Sequence, residues 1–251
     1  MNSGDLLKLL ELDEFVVIDF ETTGLDPNED TIIEAAAVRF SEGQPVDEFQ
    51  QLINPGRPIP RQIVELTNIT DEMVSDQPTI EEVGNDFIQF VGSAPLVAQN
   101  ISFDMGFLKT MRVRLELDEE VDNQLFDTLP LARTFLYHHP GFSLGALCEF
   151  FQLAHSGAHR AYNDALNTGH VFIKLVHEAA SFPLPIIQEL LGVQSHLELP
   201  NKALYVRLAQ VMSSGGSVKG LTISQIERPT LQAVYETESP AETYTPLTPE
   251  E

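Results

Sequence analysis

Residues 15–25 read FVVIDFETTGL. Phe15 to Ile18 form an apolar run rich in β-branched residues, the pattern of a buried strand. The run meets Asp19, and Glu21 follows two positions later. Side chains at i and i+2 of a strand project to one face, so the two carboxylates point the same way. Like charges held close repel, and this arrangement calls for a compensating positive charge. The stretch then enters turn chemistry, with Gly24, Asp26, Pro27 and Asn28.

Outward from this strand, TIIEAAAVRF (31–40) and VDEFQQLI (46–53) predict two more strands, and the short SEGQP connection makes the three an antiparallel meander. NPGRPIP (54–60) breaks the pattern. Short helices follow over 60–66 and 70–75, then a longer one over 79–92, opened by a capping box of Thr79 and Glu82. PLVAQN (95–100) predicts a fourth strand, SFDMGFLKTMRVRL (102–115) an amphipathic helix, and NQLFDT (123–128) a fifth strand. Helices are expected near 129–137, near 143–151 and over 160–180. Three antiparallel strands followed by two strands separated by helices specify an α/β fold with a mixed sheet. Upstream, Leu6, Leu7, Leu9 and Leu10 predict one face of a short lead-in helix.

After residue 181 the character changes. PIIQELLGVQ and NKALYVRLAQVM predict two helices, and SSGGSVKG a flexible connector. ETESPAETYTPLTPEE, with five Glu, three Pro and no basic residue, predicts a disordered acidic tail. The expected organisation is a main domain over 1–180, a helical extension or partner-binding segment over 181–235, and a tail over 236–251.

The chain has 251 residues, 43% of them hydrophobic, which supports a real core. It has no apolar run of about 18 residues, so no membrane span or membrane partner is expected. The N-terminus has no basic n-region or small-residue cleavage site, so no signal peptide is expected, and the location implied is cytoplasmic. The single cysteine, Cys148, excludes an internal disulfide and a multi-cysteine zinc site, and its apolar neighbours predict a buried thiol. Fourteen basic residues against 38 acidic ones give a net charge of −24. This argues against a broad nucleic-acid surface, which reads as clustered Lys and Arg. Any phosphate-bearing substrate must be held locally, by metals or by a few placed residues.

Further acids join the first pair. Asp104 opens the helix after the fourth strand, and Asp164 lies early in the 160–180 helix, five residues after His159. If the strands are neighbours, these groups converge at the ends of the central strands, where open α/β sheets place their sites. Four carboxylates together are untenable without cations, and hard oxygen ligands suit Mg²⁺ or Mn²⁺ rather than zinc. Two such ions about 4 Å apart would clamp the attacking and leaving oxygens of an in-line displacement at phosphorus. Taken singly, each residue has a plainer account: Asp19 as a turn residue, Asp104 as a helix-start acid, His159 as a surface or capping histidine. His155 and His159 are four apart, but the intervening SGA argues against a helical metal pair.

The three stretches VVIDFETTGL, LVAQNISFDMGFL and HRAYNDALNTGHVF resemble, in order and spacing, the three motifs of the DEDD-type 3′–5′ exonucleases, in the DEDDh subclass with a histidine in the third motif. INPGRPIPRQIVELTNITDEMVSDQPTIEEV and LFDTLPLARTFLYHHPGFSLGALCEFFQL are similar to the segments between, so the resemblance covers roughly residues 14–180. It is nearest to the proofreading epsilon subunit of bacterial DNA polymerase III and to exonuclease modules of bacterial polymerases and DinG-type helicases. The resemblance implies a ribonuclease H-like, mixed five-stranded sheet flanked by helices, here with a small helical C-terminal extension. It implies two divalent cations, Mg²⁺ or Mn²⁺, on Asp19, Glu21, Asp104 and Asp164. His159 falls on the general base that takes a proton from the attacking water, for which an imidazole pKa near 6.5 is suited. Thr22 and Thr23 fall where the terminal nucleotide is held. Ile63 and Leu66 resemble the wall against which the terminal base packs, with plain core packing as the competing account. Arg160 falls beside a phosphate, with a solvated helix residue as its alternative.

Three positions depart from the family pattern. Phe20 stands between the two first-motif acids and is expected to point away from the site. Gln99 replaces a frequent histidine, which bears on how Asp104 is positioned. Asn68 stands where glycine is usual, and Asn tolerates the left-handed backbone such a turn needs.

The function implied is metal-dependent 3′–5′ hydrolysis of phosphodiester bonds at the 3′ end of single-stranded or frayed DNA. It would release nucleoside 5′-monophosphates, in proofreading or repair. An RNA-trimming 3′–5′ exoribonuclease and a non-catalytic nuclease-fold interaction module are the alternatives. Arg57, Arg61, Arg112, Arg114 and Arg160 are expected to line the approach. A polymerase or helicase subunit is the expected partner of residues 181–251. QSHLELP (194–200) faintly resembles a sliding-clamp-binding peptide, with a plain loop as the competing account.

Overall fold

β1 (Glu14–Thr22) is the central strand of the computed structural model, which describes residues 3–117, 120–154, 160–194 and 200–214. β2 (Ile32–Ser41) pairs antiparallel with it, and β3 (Gln44–Leu52) pairs antiparallel with β2 at the edge. On the other side, β4 (Leu96–Ala98) pairs parallel with β1, and β5 (Leu125–Asp127) parallel with β4. The described strands thus form one mixed five-stranded sheet, ordered β3-β2-β1-β4-β5, as the sequence predicts. The β2–β3 connection is tighter than expected. Glu42 and Gly43 both take positive φ, 50° and 82°, the backbone of a two-residue hairpin turn, and β3 therefore starts at Gln44. Pro45 is tolerated because β3 is an edge strand.

The alternation along β1 divides the core. Phe15 and Val17 enter one buried cluster with Ala36, Val38, Phe40, Val97 and Phe126. Helices α1 (Ser3–Leu9), α6 (Thr128–Phe135), α7 (Leu144–Phe150) and α8 (Ala161–Ala180) supply apolar side chains to that face. Val16, Ile18 and Phe20 enter a second cluster, against α4 (Ile80–Val91) and α5 (Ile101–Arg114). Asp19 and Glu21 continue the Phe15–Val17 column and so leave the sheet on the α8 face. Phe20 leaves on the opposite face, its ring centroid 5.2 Å from that of Phe87, which is the orientation expected of it.

Two shorter helices, α2 (Arg61–Thr67) and α3 (Asp71–Val74), cover a third cluster of Ile33, Ile59, Ile69 and Val74. Asn68 ends α2 in the left-handed conformation, φ 59°, so the turn survives without glycine. The capping box of Thr79 and Glu82 opens α4 as predicted. The lead-in helix differs in one residue: Leu6, Leu7 and Leu10 are buried, but Leu9 is 48% exposed. The helix stops at Leu9 and Glu11 turns the chain at φ 51°, which carries Leu10 inward instead.

Beyond residue 180, α9 (Leu184–Gln194) and α10 (Lys202–Ser213) form as predicted. Their Ile187, Leu204, Tyr205 and Leu208 are buried in the same cluster as Phe15 and Val17. The chain divides into units Met1–Leu221 and Thr222–Glu251, and the predicted acidic tail lies outside the described residues. Cys148 is buried. No described helix is long and apolar enough to cross a membrane.

Candidate active site

β1 outruns β4. The Val16 N–H donates to Pro95 O at 2.9 Å, so the even-numbered N–H groups of β1 face β4. β4 ends at Ala98, one residue past the Val17–Val97 pair. The Phe20 N–H therefore has no strand partner on that side, and it donates to Asp104 Oδ1 at 3.2 Å. Asp104 lies in the first turn of α5 and is 3% exposed. The helix start that carries it is itself pinned. The Asp127 carboxylate at the end of β5 accepts from Asn100 N at 2.9 Å and Ile101 N at 3.2 Å, and from Leu129 N at 2.9 Å.

Asp164 arrives from the other direction. It sits in the first turn of α8, where its N–H donates to Arg160 O at 3.1 Å. Asp19, Glu21 and Asp164 each offer a carboxylate oxygen, and these oxygens lie within 4.8 Å of one another. Three acids spread over 146 positions of sequence thus form one half-buried cluster, with Asp104, on the Phe20 amide, close enough to act on Asp19.

The electrostatics follow from this crowding. Burial, then Asp104, Glu21, Asp164 and Glu34, push the Asp19 carboxyl well above the usual range. Burial, with Asp164 and Glu34, pushes Glu21 up to about 8, against a smaller opposing pull from Arg160. Burial raises Asp104 well above its ordinary value, against the amide hydrogen bonds at its own N–H and at Phe20. Oxygen-only donors that resist holding their charges alone are the set a hard divalent cation fits. Ions would relieve the repulsion that the sequence pattern left uncompensated.

Thr22 and Thr23 are buried, at 6% and 2% exposure. The Thr22 hydroxyl donates to Gly24 O at 2.6 Å, and Thr23 Oγ1 donates to Asp30 Oδ1 at 3.0 Å and accepts from Arg57 Nη2 at 2.6 Å. Ile63 packs partly buried on the third cluster, whereas Leu66 is 48% exposed. Gln99 donates to Phe142 O at 2.8 Å and accepts from the Thr128 hydroxyl, bridging β4 to the segment before α7. His159 and His155 lie outside the described residues, as does most of the QSHLELP segment.

Among the arginines expected along the approach, Arg160 is tied to a buried acid and Arg57 to a largely buried one, whereas Arg61 forms an exposed pair on its own helix. Arg57 pairs with Asp30 at 3.1 Å, Arg61 with Glu65 at 2.7 Å, and Arg160 with Glu34 at 2.8 Å. Two contributing residues, Asp127 and Glu34, escaped the sequence reading. Their signals were present. Glu34 interrupts the otherwise apolar IIEAAAV, and Asp127 stands at the strand-to-helix step in LFDT.

A model of the RNase_T family, described as an exonuclease, matches residues 16–172. The chain belongs to the exonuclease family. The resemblance to exonucleases carried by its three motifs is thereby borne out. DNA polymerase III PolC-type of Bacillus subtilis (strain 168) is 40% identical over 192 residues, which are 76% of this chain and 13% of that protein. The PolC-type polymerase of Halalkalibacterium halodurans is 45% identical over 167 residues, 66% of this chain and 12% of that one. This exonuclease-family chain therefore spans about an eighth of the length of the curated relatives it matches. Among solved structures, exonuclease X in complex with 5′ overhanging duplex DNA is 31% identical, with a TM-score of 0.53 over 67% of this chain and 94% of that one. The nuclease domain of 3′hExo, a DEDDh family member bound to rAMP, is 20% identical, with a TM-score of 0.57 over 66% of this chain and 92% of that one. It shares the fold, as does exonuclease I at 21% identity and a TM-score of 0.59 over 72% of this chain and 44% of that one.

Proposed function

We propose that this chain is a metal-dependent 3′–5′ exodeoxyribonuclease that removes nucleoside 5′-monophosphates from single-stranded or frayed 3′ ends, in proofreading or repair. The observation that carries the reading is the convergence of Asp19, Glu21 and Asp164 oxygens within 4.8 Å beside Asp104. These four side chains would hold two divalent ions, Mg²⁺ or Mn²⁺. Such ions neutralise charge on the phosphoryl oxygens and make water more acidic. The chain's own groups do the rest. His159, five residues before Asp164, takes the proton from the attacking water, and Thr22, Thr23, Ile63 and Leu66 hold the terminal nucleotide.

DNA is favoured over RNA by the PolC-type polymerases among the relatives and by exonuclease X, solved on duplex DNA. The net charge of −24 and the pairing of Arg57 and Arg160 with acids point to a weak grip beyond the acidic cluster. A proofreading enzyme gains the missing affinity from a polymerase or helicase partner, by effective concentration. We assign that contact to residues 181–251, with a sliding clamp as a further candidate partner. Work on chromosomal DNA implies a cytoplasmic site of action. The test is a nuclease assay on labelled 3′-mismatched primers, DNA and RNA side by side, with Mg²⁺, Mn²⁺ or EDTA. Stepwise 3′ shortening of DNA that EDTA stops supports the reading. Cleavage unaffected by EDTA, or faster cleavage of RNA, overturns it.

A further inference from the structure

Glu34 is a fourth acid on the α8 face, opposite Glu21 in the β1–β2 ladder, and its side chain is fully buried. It lies outside the trio whose oxygens converge. A buried charge beside Asp19 and Glu21 raises both their carboxyls and is costly unless it has a task. Its donors define that task. Arg160 meets it with a two-pronged fork, Nε to Oε2 at 3.1 Å and Nη2 to Oε1 at 2.8 Å. Gln50 on β3 donates Nε2 to Oε1 at 2.9 Å. The Ala161 N–H, the first amide of α8, donates to Oε2 at 3.0 Å. Burial pushes the Glu34 carboxyl up, but these hydrogen bonds from Arg160, Gln50 and Ala161 outweigh it and keep the group ionised.

Arg160 is the N-cap residue of α8 and offers no side-chain cap of its own. The cap comes instead from a strand. A negative charge at a helix N-terminus meets the positive end of the macrodipole as well as an open amide. Glu34 therefore fixes the height and the rotation of the first turn of α8 against the β1–β2 pair, and Asp164 lies on that turn.

We propose that the Glu34–Arg160 pair is a positioning device that locks the first turn of α8 to β2, and so sets the Asp164 carboxylate opposite Asp19 and Glu21. The pair touches neither the phosphate nor an ion. This inference rests on the reading of Asp164 as a metal ligand.

The experiment compares the full chain with its Glu34→Gln and Arg160→Met variants. Glutamine keeps an acceptor for Ala161 but leaves the guanidinium without its charge partner. Hydrogen exchange in EDTA should show the amides of the first turn of α8 exchanging about tenfold faster, with the rest of the helix unchanged. Mn²⁺ affinity, read by electron paramagnetic resonance, should fall about tenfold, and KM for an oligonucleotide at saturating Mn²⁺ should stay unchanged. Should Arg160→Met fail to fold, Arg160→Lys, which keeps the charge but not the fork, reads the same quantities. Unaltered exchange and Mn²⁺ affinity would overturn the proposal. So would a raised KM with intact Mn²⁺ affinity, which would make Arg160 a phosphate ligand instead. Wild-type protein that binds no Mn²⁺ would sink the metal-dependent reading, while the exchange data still decide whether Glu34 holds the helix.

Discussion

Asp127 and Asn201, 74 positions apart, hold each other's polar groups in the core. Asp127 N donates to Asn201 Oδ1 at 3.0 Å, and Asn201 Nδ2 donates to Asp127 O at 3.0 Å. Asn201 is 1% exposed, and its own N–H donates to Leu125 O at 3.0 Å, so the start of α10 closes the outer edge of β5. Asp127 in turn pins the start of α5, which carries Asp104. Asn201→Ala leaves a buried N–H and a buried C=O unpaired and should cost about 2 kcal/mol. Thermal unfolding of the variant checks this. A chain ending at residue 199 should lose more, because Leu204, Tyr205 and Leu208 leave the core with it.

The acidic cluster makes opposite demands on activity and on metal-free stability. Asp19→Ala or Asp164→Ala should reduce cleavage to background. His159→Ala should leave a residue of activity, about 10²- to 10⁴-fold below wild type, the usual contribution of a general base. Asp19→Asn should also abolish cleavage, yet in EDTA it should melt higher than wild type, since burial and the neighbouring Asp104, Glu21 and Asp164 penalise an ionised Asp19 and the amide is free of that penalty. Scanning calorimetry with EDTA and with Mn²⁺ separates the two effects.

Glu21 gives the metal-free protein a pH dependence of known sign. Its folded-state pKa is about 8, against an ordinary 4.5. Between those values the folded state holds more protons than the unfolded state, so stability falls as pH rises from about 4.5 to 8. Bound cations favour the ionised form and should flatten or reverse that slope. Denaturant titrations at pH 5 and pH 8, each with EDTA and with saturating Mn²⁺, measure it. His170 and His177, whose half-buried rings are held below the usual imidazole range, act in the opposite direction, so Glu21→Gln is run beside the wild type. A variant whose metal-free stability changes between pH 5 and pH 8 just as the wild type's does would refute the assignment.

Gly169 lies within α8, where alanine would ordinarily be preferred by about 1 kcal/mol. A Cβ there would sit 2.3 Å from Phe40 Cε2 and 2.4 Å from Cζ. Phe40 is fully buried and stacked on Phe15 at 5.0 Å between centroids, so its ring has nowhere to go. Overpacking should outweigh the helix preference, and Gly169→Ala should destabilise by about 1–3 kcal/mol. Chemical denaturation of this one variant is sufficient.

The sequence alone determined the strand in FVVIDFETTGL, the meander after it, the alternation of helices and strands, and the acids of the three motifs. It could do so because each signal is local. Period-2 alternation puts Asp19 and Glu21 on one face, and a capping box or a left-handed Asn acts within a few residues. Only the tertiary structure decided which groups share space. The N–H that Asp104 receives is free because β4 stops short of Phe20, a fact of strand pairing. Arg160 reads in sequence as either a phosphate contact or a solvated helix residue, and its fork on Glu34, 126 positions away, is visible only in the fold. Residues 181–235 read as a helical extension or partner-binding segment, and only the fold shows that Ile187 of α9 and Leu204, Tyr205 and Leu208 of α10 are buried with Phe15 and Val17. Pairings of this kind depend on distances that the chain closes only when it folds, and no local pattern encodes the partner.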